Sequence, residues 1–304
     1  MKRNASVFFN VMSTDLIERI KSVLPKLSKG HRAIGSYIIE HCETASYMTA
    51  TKLGEVVGVS ESTVVRFANE LGFRGYPEFR HSLQSCIRSK LTSMQRIAVS
   101  EDIIGEADIV SKVMLADIEN LRSSAEAIDR EVFEKTVEAI CSARRIYVTG
   151  CRASSMLSWF MTYYLNLVMP NVTNVKAASS DEMFQEIIRI SADDVMIGIS
   201  FPRYSHRTKT ALEFAKDRGA KVISITDCEN SPLVQCSDFS LFAKSDMASF
   251  VDSLIAPLSV INALIVAIGR KKKDSLAATF KDLEEIWEEY EVYEKPKGLS
   301  LIHI

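Results

Sequence analysis

The sequence predicts two domains, an all-helical one followed by a parallel α/β one, and three observations carry that expectation. The 304 residues, 47% hydrophobic and 25% charged, suffice for two cores and are too apolar for general disorder. From about Leu16 to Arg96 the apolar residues recur at helical spacing and are broken at short intervals by Gly30, Gly35, Gly58, Gly72 and Gly75, as in short helices joined by tight turns. After Arg145 the rhythm changes to short continuous apolar runs, RRIYVTG, DDVMIGIS, AKVISITD and DFSLFAK, separated by helix-length segments. Strands apolar throughout, with helices between them, mean a sheet buried on both faces and therefore parallel.

The intervening helices are expected near Ser155–Met169, Asp181–Ile190, Arg207–Arg218 and Ser253–Lys271. Between the domains, Ile103, Ile104, Val110, Val113, Met114, Ile118 and Leu121 suggest one longer helix, and Val132, Val137 and Ile140 another. These helices suit a connector and dimerising element, or equally the covering helices of the second domain. The charged stretch from Gly269 onward reads as a solvated terminal helix and tail. The expected boundaries are 13–92 for the helical domain, 93–130 for a helical connector, 131–272 for the α/β domain and 273–304 for the charged helix and tail.

The formal net charge of −2 is unevenly spread. Residues 1–96 hold fourteen Lys/Arg against eight Asp/Glu, and the remainder twenty-three against thirty-one. The first part can face an anion such as nucleic acid, whereas the second resembles an ordinary acidic soluble domain. The six cysteines form no CxxC and show no metal-ligand spacing with the five histidines, so reduced thiols and no metal are expected. The opening MKRNASVFFNVMSTDL lacks the sustained apolar run of a signal peptide, and no stretch reaches the length of a membrane span. A cytoplasmic protein with no membrane partner is the expectation.

The sharpest local signal is Met48–Phe79, MTATKLGEVVGVSESTVVRFANELGFRGYPEF. Thr49 or Thr51 can start a short helix with Leu53, Val56 and Val57 on its apolar side, and Gly58 permits the turn that ends it. Ser60 can cap a second helix whose inward stripe is Val64, Phe67 and Leu71, with Gly54 small enough for the pair to cross closely. Such a pair is a helix-turn-helix, and its second helix can enter a major groove of double-stranded DNA. Ser60, Glu61, Ser62, Thr63 and Arg66 occupy the front and outer face of that helix. Arg66 suits guanine, Ser62 and Thr63 a base edge or phosphate, and Glu61 cytosine N4, although its charge repels the backbone. Lys52, Arg74 and Arg80 flank the helix as phosphate contacts, while Tyr76 and Phe79 are assigned to packing.

The segment KLGEVVGVSESTVVRFANELGFRGYPEFRHSL closely resembles the N-terminal domain of the RpiR family of bacterial transcriptional regulators, with SxSTVxRFxxxLGFxGYxEF standing at Ser60–Phe79. LSKGHRAIGSYIIEHC, Leu27–Cys42, resembles the family's leading helix. Gly54 stands where family members usually carry alanine.

In the second domain, RRIYVTGCRASS places Gly150 at a strand end and Ser154 and Ser155 at a helix start, where free N–H groups and the dipole suit an anion. GCRASS lacks the later glycines of a dinucleotide fingerprint, so no cofactor is expected. The strand VMIGIS delivers Ser200 to the same edge, and its loop ISFPRYSHRT adds Arg203, Ser205, His206 and Arg207. Residues Ile146 to about Gly269 resemble a SIS, or sugar isomerase, domain, the usual partner of the RpiR head. That resemblance implies a five-stranded parallel sheet flanked by helices and, in many members, a phosphosugar effector. It carries Ser154 onto the serine of the first phosphate loop, Ser200 onto the first serine of the second, and Ser205 onto its threonine. Arg152 replaces the second glycine of the common GxGxS, and Pro202 and Arg203 replace the Ser-Gly of SxSGxT. Two added guanidiniums favour carboxylate or phosphate, so an anionic small-molecule effector is the firmer expectation, held by Gly150, Arg152, Ser154, Ser155, Ser200, Arg203, Ser205 and His206.

An isomerase would need a positioned base. His206, Asp181 and Glu182 are the candidates, but none has an evident tuning partner, so no catalytic residue is assigned. The resulting expectation is a DNA-binding regulator of metabolic genes, a homodimer or tetramer. The alternatives are a sugar-phosphate isomerase and a helical protein-interaction module.

Overall fold

The computed structural model describes residues 16–88, 108–176, 179–246 and 251–294. Ile103 and Ile104 of the expected connector helix, the opening segment before Leu16 and the tail beyond residue 294 lie outside the described residues. The first unit is helical throughout: α1 (Leu16–Val23), α2 (Lys29–Glu40), α3 (Cys42–Ala45), α4 (Ala50–Val57), α5 (Glu61–Glu70) and α6 (Tyr76–Arg88). Phe67 lies in its core, fully buried, with the ring of Phe79 packed edge-on at 5.7 Å. A buried phenylalanine of this kind contributes about 1.5–3 kcal/mol of apolar transfer free energy.

Local chemistry explains where these helices start and stop. Thr49 caps α4 by accepting the Lys52 N–H, left-handed Gly58 ends it, and Ser60 caps α5 by accepting the Thr63 N–H. Gly54 allows the turn to fold back closely, since a Cβ there would stand 2.7 Å from the Val59 carbonyl oxygen. Val56 departs from the expected apolar side, being 45% exposed. The buried face of α4 centres on Leu53 and Gly54, and at 100° per residue Val56 falls well off that line.

The second unit is a five-stranded sheet in the order β2-β1-β3-β4-β5, every pairing parallel. Its strands are β1 (Ile146–Gly150), β2 (Val172–Val175), β3 (Val195–Ile199), β4 (Lys221–Thr226) and β5 (Phe239–Phe242). Around it run α7 (Ile109–Ala127), α8 (Arg130–Ser142), α9 (Ala153–Asn166), α10 (Ser180–Ile187), α11 (His206–Asp217), α12 (Ile255–Lys271) and α13 (Lys273–Glu289). Alternate strand residues serve opposite layers. Val148, Ile197 and Ile225 pack under α8, α9 and α12, whereas Tyr147, Met196 and Val222 pack under α10 and α11.

β2 is the strand absent from the apolar runs in the sequence. It has four residues, lies at the sheet edge, and buries only Val175, so it leaves no continuous apolar signature. α7 is fastened to the segment after β5: Asn120 donates to the Asp246 carbonyl at 2.8 Å and accepts its N–H at 3.1 Å, while Ser124 accepts the Lys244 N–H at 2.8 Å. The charged α13 buries no residue.

Gly150 is where this fold is tightest. A Cβ there would stand 2.5 Å from the Ser154 carbonyl oxygen and 2.9 Å from its carbon, so only glycine lets α9 begin directly above the end of β1. Gly150→Ala is expected to destabilise the α/β unit by about 1–3 kcal/mol, the usual range for overpacking. Denaturant unfolding of the variant checks this, and unchanged stability would show that α9 does not approach the strand so closely.

Candidate functional sites

In the helical unit, the starts of three helices meet. The Thr51 hydroxyl on α4 donates to the Glu61 carboxylate on α5 at 2.8 Å, and a Cβ at Gly30 in the first turn of α2 would lie 3.4 Å from the Thr63 methyl. The Ser60 hydroxyl pairs with those of Ser62 and Thr63 at 2.9 and 2.8 Å. This corner presents helix N-termini and hydroxyls to solvent, a surface suited to phosphate and base edges. Lys52, Ser60, Glu61, Ser62, Arg66 and Arg74 are exposed, whereas Thr63 and Arg80 are half-buried. The Arg66 guanidinium lies back along its own helix, its Nε donating to the Ser62 carbonyl at 3.3 Å. Lys52 pairs with Glu55 at 3.2 Å, and Glu61 is turned toward Thr51. Arg74 and Arg80 sit at the start of α6, near Glu78 and Tyr76. The Tyr76 hydroxyl donates to the Met48 carbonyl at 3.0 Å, and burial pushes its pKa up to about 12, partly offset by Arg80.

In the α/β unit, Gly150 and Ile199 are register partners at the ends of adjacent strands, so the two loops that follow lie side by side. Between them is a cavity of about 680 Å³. Of the residues singled out in the sequence, Gly150, Arg152, Ser155, Ser205 and His206 line it, together with Arg207. Ser154 is buried at the start of α9, where its backbone N–H donates to the Cys151 carbonyl. Ser200 is also buried, and its hydroxyl accepts the Ser205 N–H at 2.9 Å. Ser200 therefore shapes the second loop from beneath, while Ser205 caps α11 by accepting the Thr208 N–H. Arg203 lines a smaller adjoining cavity of about 480 Å³ with Arg152, Tyr204, Ser205, His206 and Lys209.

Several lining residues were not singled out by sequence reasoning. Asn174 lies on β2 and Lys176 just beyond it, so both were hidden with that strand; Asn174 accepts from Ser158 at 3.3 Å. Tyr204 is buried enough to hold the second loop, its hydroxyl donating at 2.8 Å to Asp227 at the end of β4. Burial and the Asp227 charge push the Tyr204 pKa upward, and the same two causes push the Cys228 thiol up to about 11. The Thr208 hydroxyl donates to Cys151 Sγ at 3.6 Å, tying the two loops together. Asp181 and Glu182 are not among the lining residues; they open α10, where Ser179 accepts the Glu182 N–H.

Two arginines hold backbone that glycine holds without strain. Arg152 has φ 55° and ψ −126°, and Arg203 has φ 71°. Each such conformation costs an L-residue about 1–3 kcal/mol. Both fall at positions where the resemblance led us to expect glycine. The guanidiniums, with Lys176 and Arg207, make the combined surface of the two cavities cationic, and no carboxylate is among the described residues that line them.

Comparison with known proteins agrees with both units. Residues 14–90 match the helix-turn-helix domain of the rpiR family, and residues 139–267 match the SIS domain. HexR, an HTH-type transcriptional regulator of Pseudomonas aeruginosa, is 28% identical over 89% of this chain and 99% of its own length. An uncharacterised HTH-type regulator of Caldanaerobacter subterraneus is 22% identical over 90% and 97%. Among solved structures, the sugar isomerase domain of an RpiR transcription factor from Sphaerobacter thermophilus superposes with a TM-score of 0.57 at 27% identity, covering 59% of this chain and 99% of that one. NanR of Vibrio vulnificus, complexed with ManNAc-6P, gives a TM-score of 0.55 at 24% identity over 89% and 98%. The curated relatives are regulators along nearly their whole length, and the chain is a regulator rather than an enzyme. With a DNA-binding helix-turn-helix unit and a small-molecule-sensing SIS unit in one polypeptide, the chain belongs to the RpiR family of transcriptional regulators.

Proposed function

We propose that α5 reads operator DNA in the major groove and that an anionic carbohydrate derivative, a phosphosugar or close relative, occupies the cavity between the β1 and β3 loops and controls that binding. The observation that carries the sensing half is the cavity itself: Arg152, Lys176 and Arg207 surround it beside the starts of α9 and α11, with no carboxylate among the described residues that line it. Such a surface attracts phosphate through fixed N–H donors and cationic side chains. NanR, which shares the fold, was solved with a phosphorylated sugar derivative, which makes that class the first to test. The working unit is a homodimer or tetramer, because an inverted operator needs paired heads. Ile109, Met114, Leu115 and Ile118 on α7, each more than half exposed, support a covering second copy. To switch control, the effector must bind the DNA-competent and incompetent forms unequally, by about 1–3 kcal/mol.

Arg66→Ala is expected to weaken specific DNA binding by about 1–3 kcal/mol and relax the preference at one base pair. Fluorescence anisotropy with an operator and its base-substituted variants measures this; unchanged affinity and preference would remove Arg66 from the reading surface. Ser200→Ala is expected to weaken effector binding by about 1 kcal/mol, a severalfold rise in Kd, because it frees the Ser205 N–H that fixes the second loop. Calorimetric titration checks it, and an unaltered curve would sink the assignment of that loop to the effector site.

A further inference from the structure

We propose that α13 docks on the DNA-reading face of a helix-turn-helix head of this same protein and thereby competes with DNA. This inference rests on the DNA-reading role of α5 and adds an internal competitor to it. The start of α13 is fastened to the α/β unit: Leu276 packs against its core, and the Ser275 hydroxyl donates to the Val168 carbonyl at 3.2 Å. Along the helix, Leu276, Phe280, Leu283, Ile286 and Trp287 form one apolar arc, about 120° wide at 100° per residue. Tyr290, where the helix ends, continues that arc. α13 nevertheless buries no residue, and Phe280, Ile286 and Tyr290 are exposed. An amphipathic helix with an uncovered apolar arc is a form in which helices dock on partners.

Charge selects the partner. From Asp282 to Glu294, DLEEIWEEYEVYE, seven carboxylates occur without one lysine or arginine. Glu288 and Glu289 stand in the last turn, at the negative end of the helix dipole, where cations rather than carboxylates are stabilised. No ion pair joins any carboxylate of this stretch to a described cation. Like charges at this density oppose pairing with the same helix of a second copy and fit a cationic surface instead. The effector cavity is cationic, but at about 680 Å³ it does not admit a helix about 10–12 Å across. The helical head offers its cations on an open surface. Residues 1–96 hold fourteen Lys/Arg against eight Asp/Glu, Lys52, Arg66 and Arg74 are exposed, and the starts of α4 and α5 add the positive ends of two dipoles. Val56 on α4, 45% exposed, gives the same helix pair apolar surface for the arc to meet. What suits this face to a phosphate backbone suits it equally to a row of carboxylates, so α13 and DNA exclude each other.

The test uses the full chain and a mixed-sequence DNA duplex at low salt, where sequence-independent binding is strong. A variant carrying Asp282→Asn, Glu284→Gln, Glu285→Gln, Glu288→Gln and Glu289→Gln is expected to bind DNA about tenfold more tightly, within the usual span of coupling between two sites. Phe280→Ala combined with Trp287→Ala keeps every charge and should tighten binding severalfold, which a general field of negative charge would not produce. Because α13 buries no residue, neither variant opens a core. Docking itself is read from Trp287, made the sole tryptophan by Trp159→Phe. DNA should release it from the head, moving its emission to longer wavelength and increasing its quenching by acrylamide. DNA affinity unchanged by the Phe280 and Trp287 pair, or Trp287 emission that DNA does not move, would overturn the docking proposal while leaving DNA reading intact. Absence of DNA binding by every form would remove the reading on which the proposal rests, and the proposal with it.

Discussion

The sensing half of the molecule depends on where its sheet reverses its order of growth. After β1 the chain adds β2 on one side and then crosses to place β3 on the other, so the connections leaving β1 and β3 diverge to opposite faces of the sheet. A crevice at the C-terminal ends of those strands is the geometric consequence, and ligands of open α/β sheets bind in such crevices. The sequence then shapes the crevice. Gly150 lets α9 start against the strand end, Ser200 holds the second loop from below, and Tyr204 ties the rim to Asp227. None of these three interactions requires a ligand, so the cavity is built by the fold before anything enters it.

Much of this was legible in the residues because the strands around the reversal are buried on both faces. β1 and β3 are buried along their whole length, so their apolar runs could be read directly, and with them the two loops at their ends. β2 could not be read in the same way: an edge strand with one buried residue has no such pattern, and its invisibility concealed Asn174 and Lys176 as well. The helical unit was legible for a different reason. Its caps are local chemistry, in which Thr49, Gly58 and Ser60 each satisfy the nearest backbone group or backbone conformation. Val56 was misread because an eight-residue helix has room for only a narrow buried face, and the position of Gly54 sets its centre.

Residue type alone also could not distinguish a hydroxyl that faces a ligand from one that holds a loop. Ser205 and Ser155 line the cavity, whereas the neighbouring Ser154 and Ser200 are buried, and only the three-dimensional path of the backbone separates the pairs. The arginines at positive φ show the converse. The sequence marked Arg152 and Arg203 as departures from a glycine pattern, and the backbone keeps the glycine conformation beneath them. The loop shape thus persists while its chemistry changes from neutral and flexible to cationic.

The central claim is that DNA recognition by the head answers to an anion in the SIS unit. The most direct measurement is recovery of fragments of the organism's own genome by the full chain at near-physiological salt, where non-specific phosphate attraction is weakened, with and without a pool of cell metabolites. The account predicts that one or a few promoter fragments are retained and that the metabolite pool changes their yield. Retention of no preferred fragment under either condition would contradict DNA reading, and promoters whose yield ignores the metabolites would contradict its control by an effector.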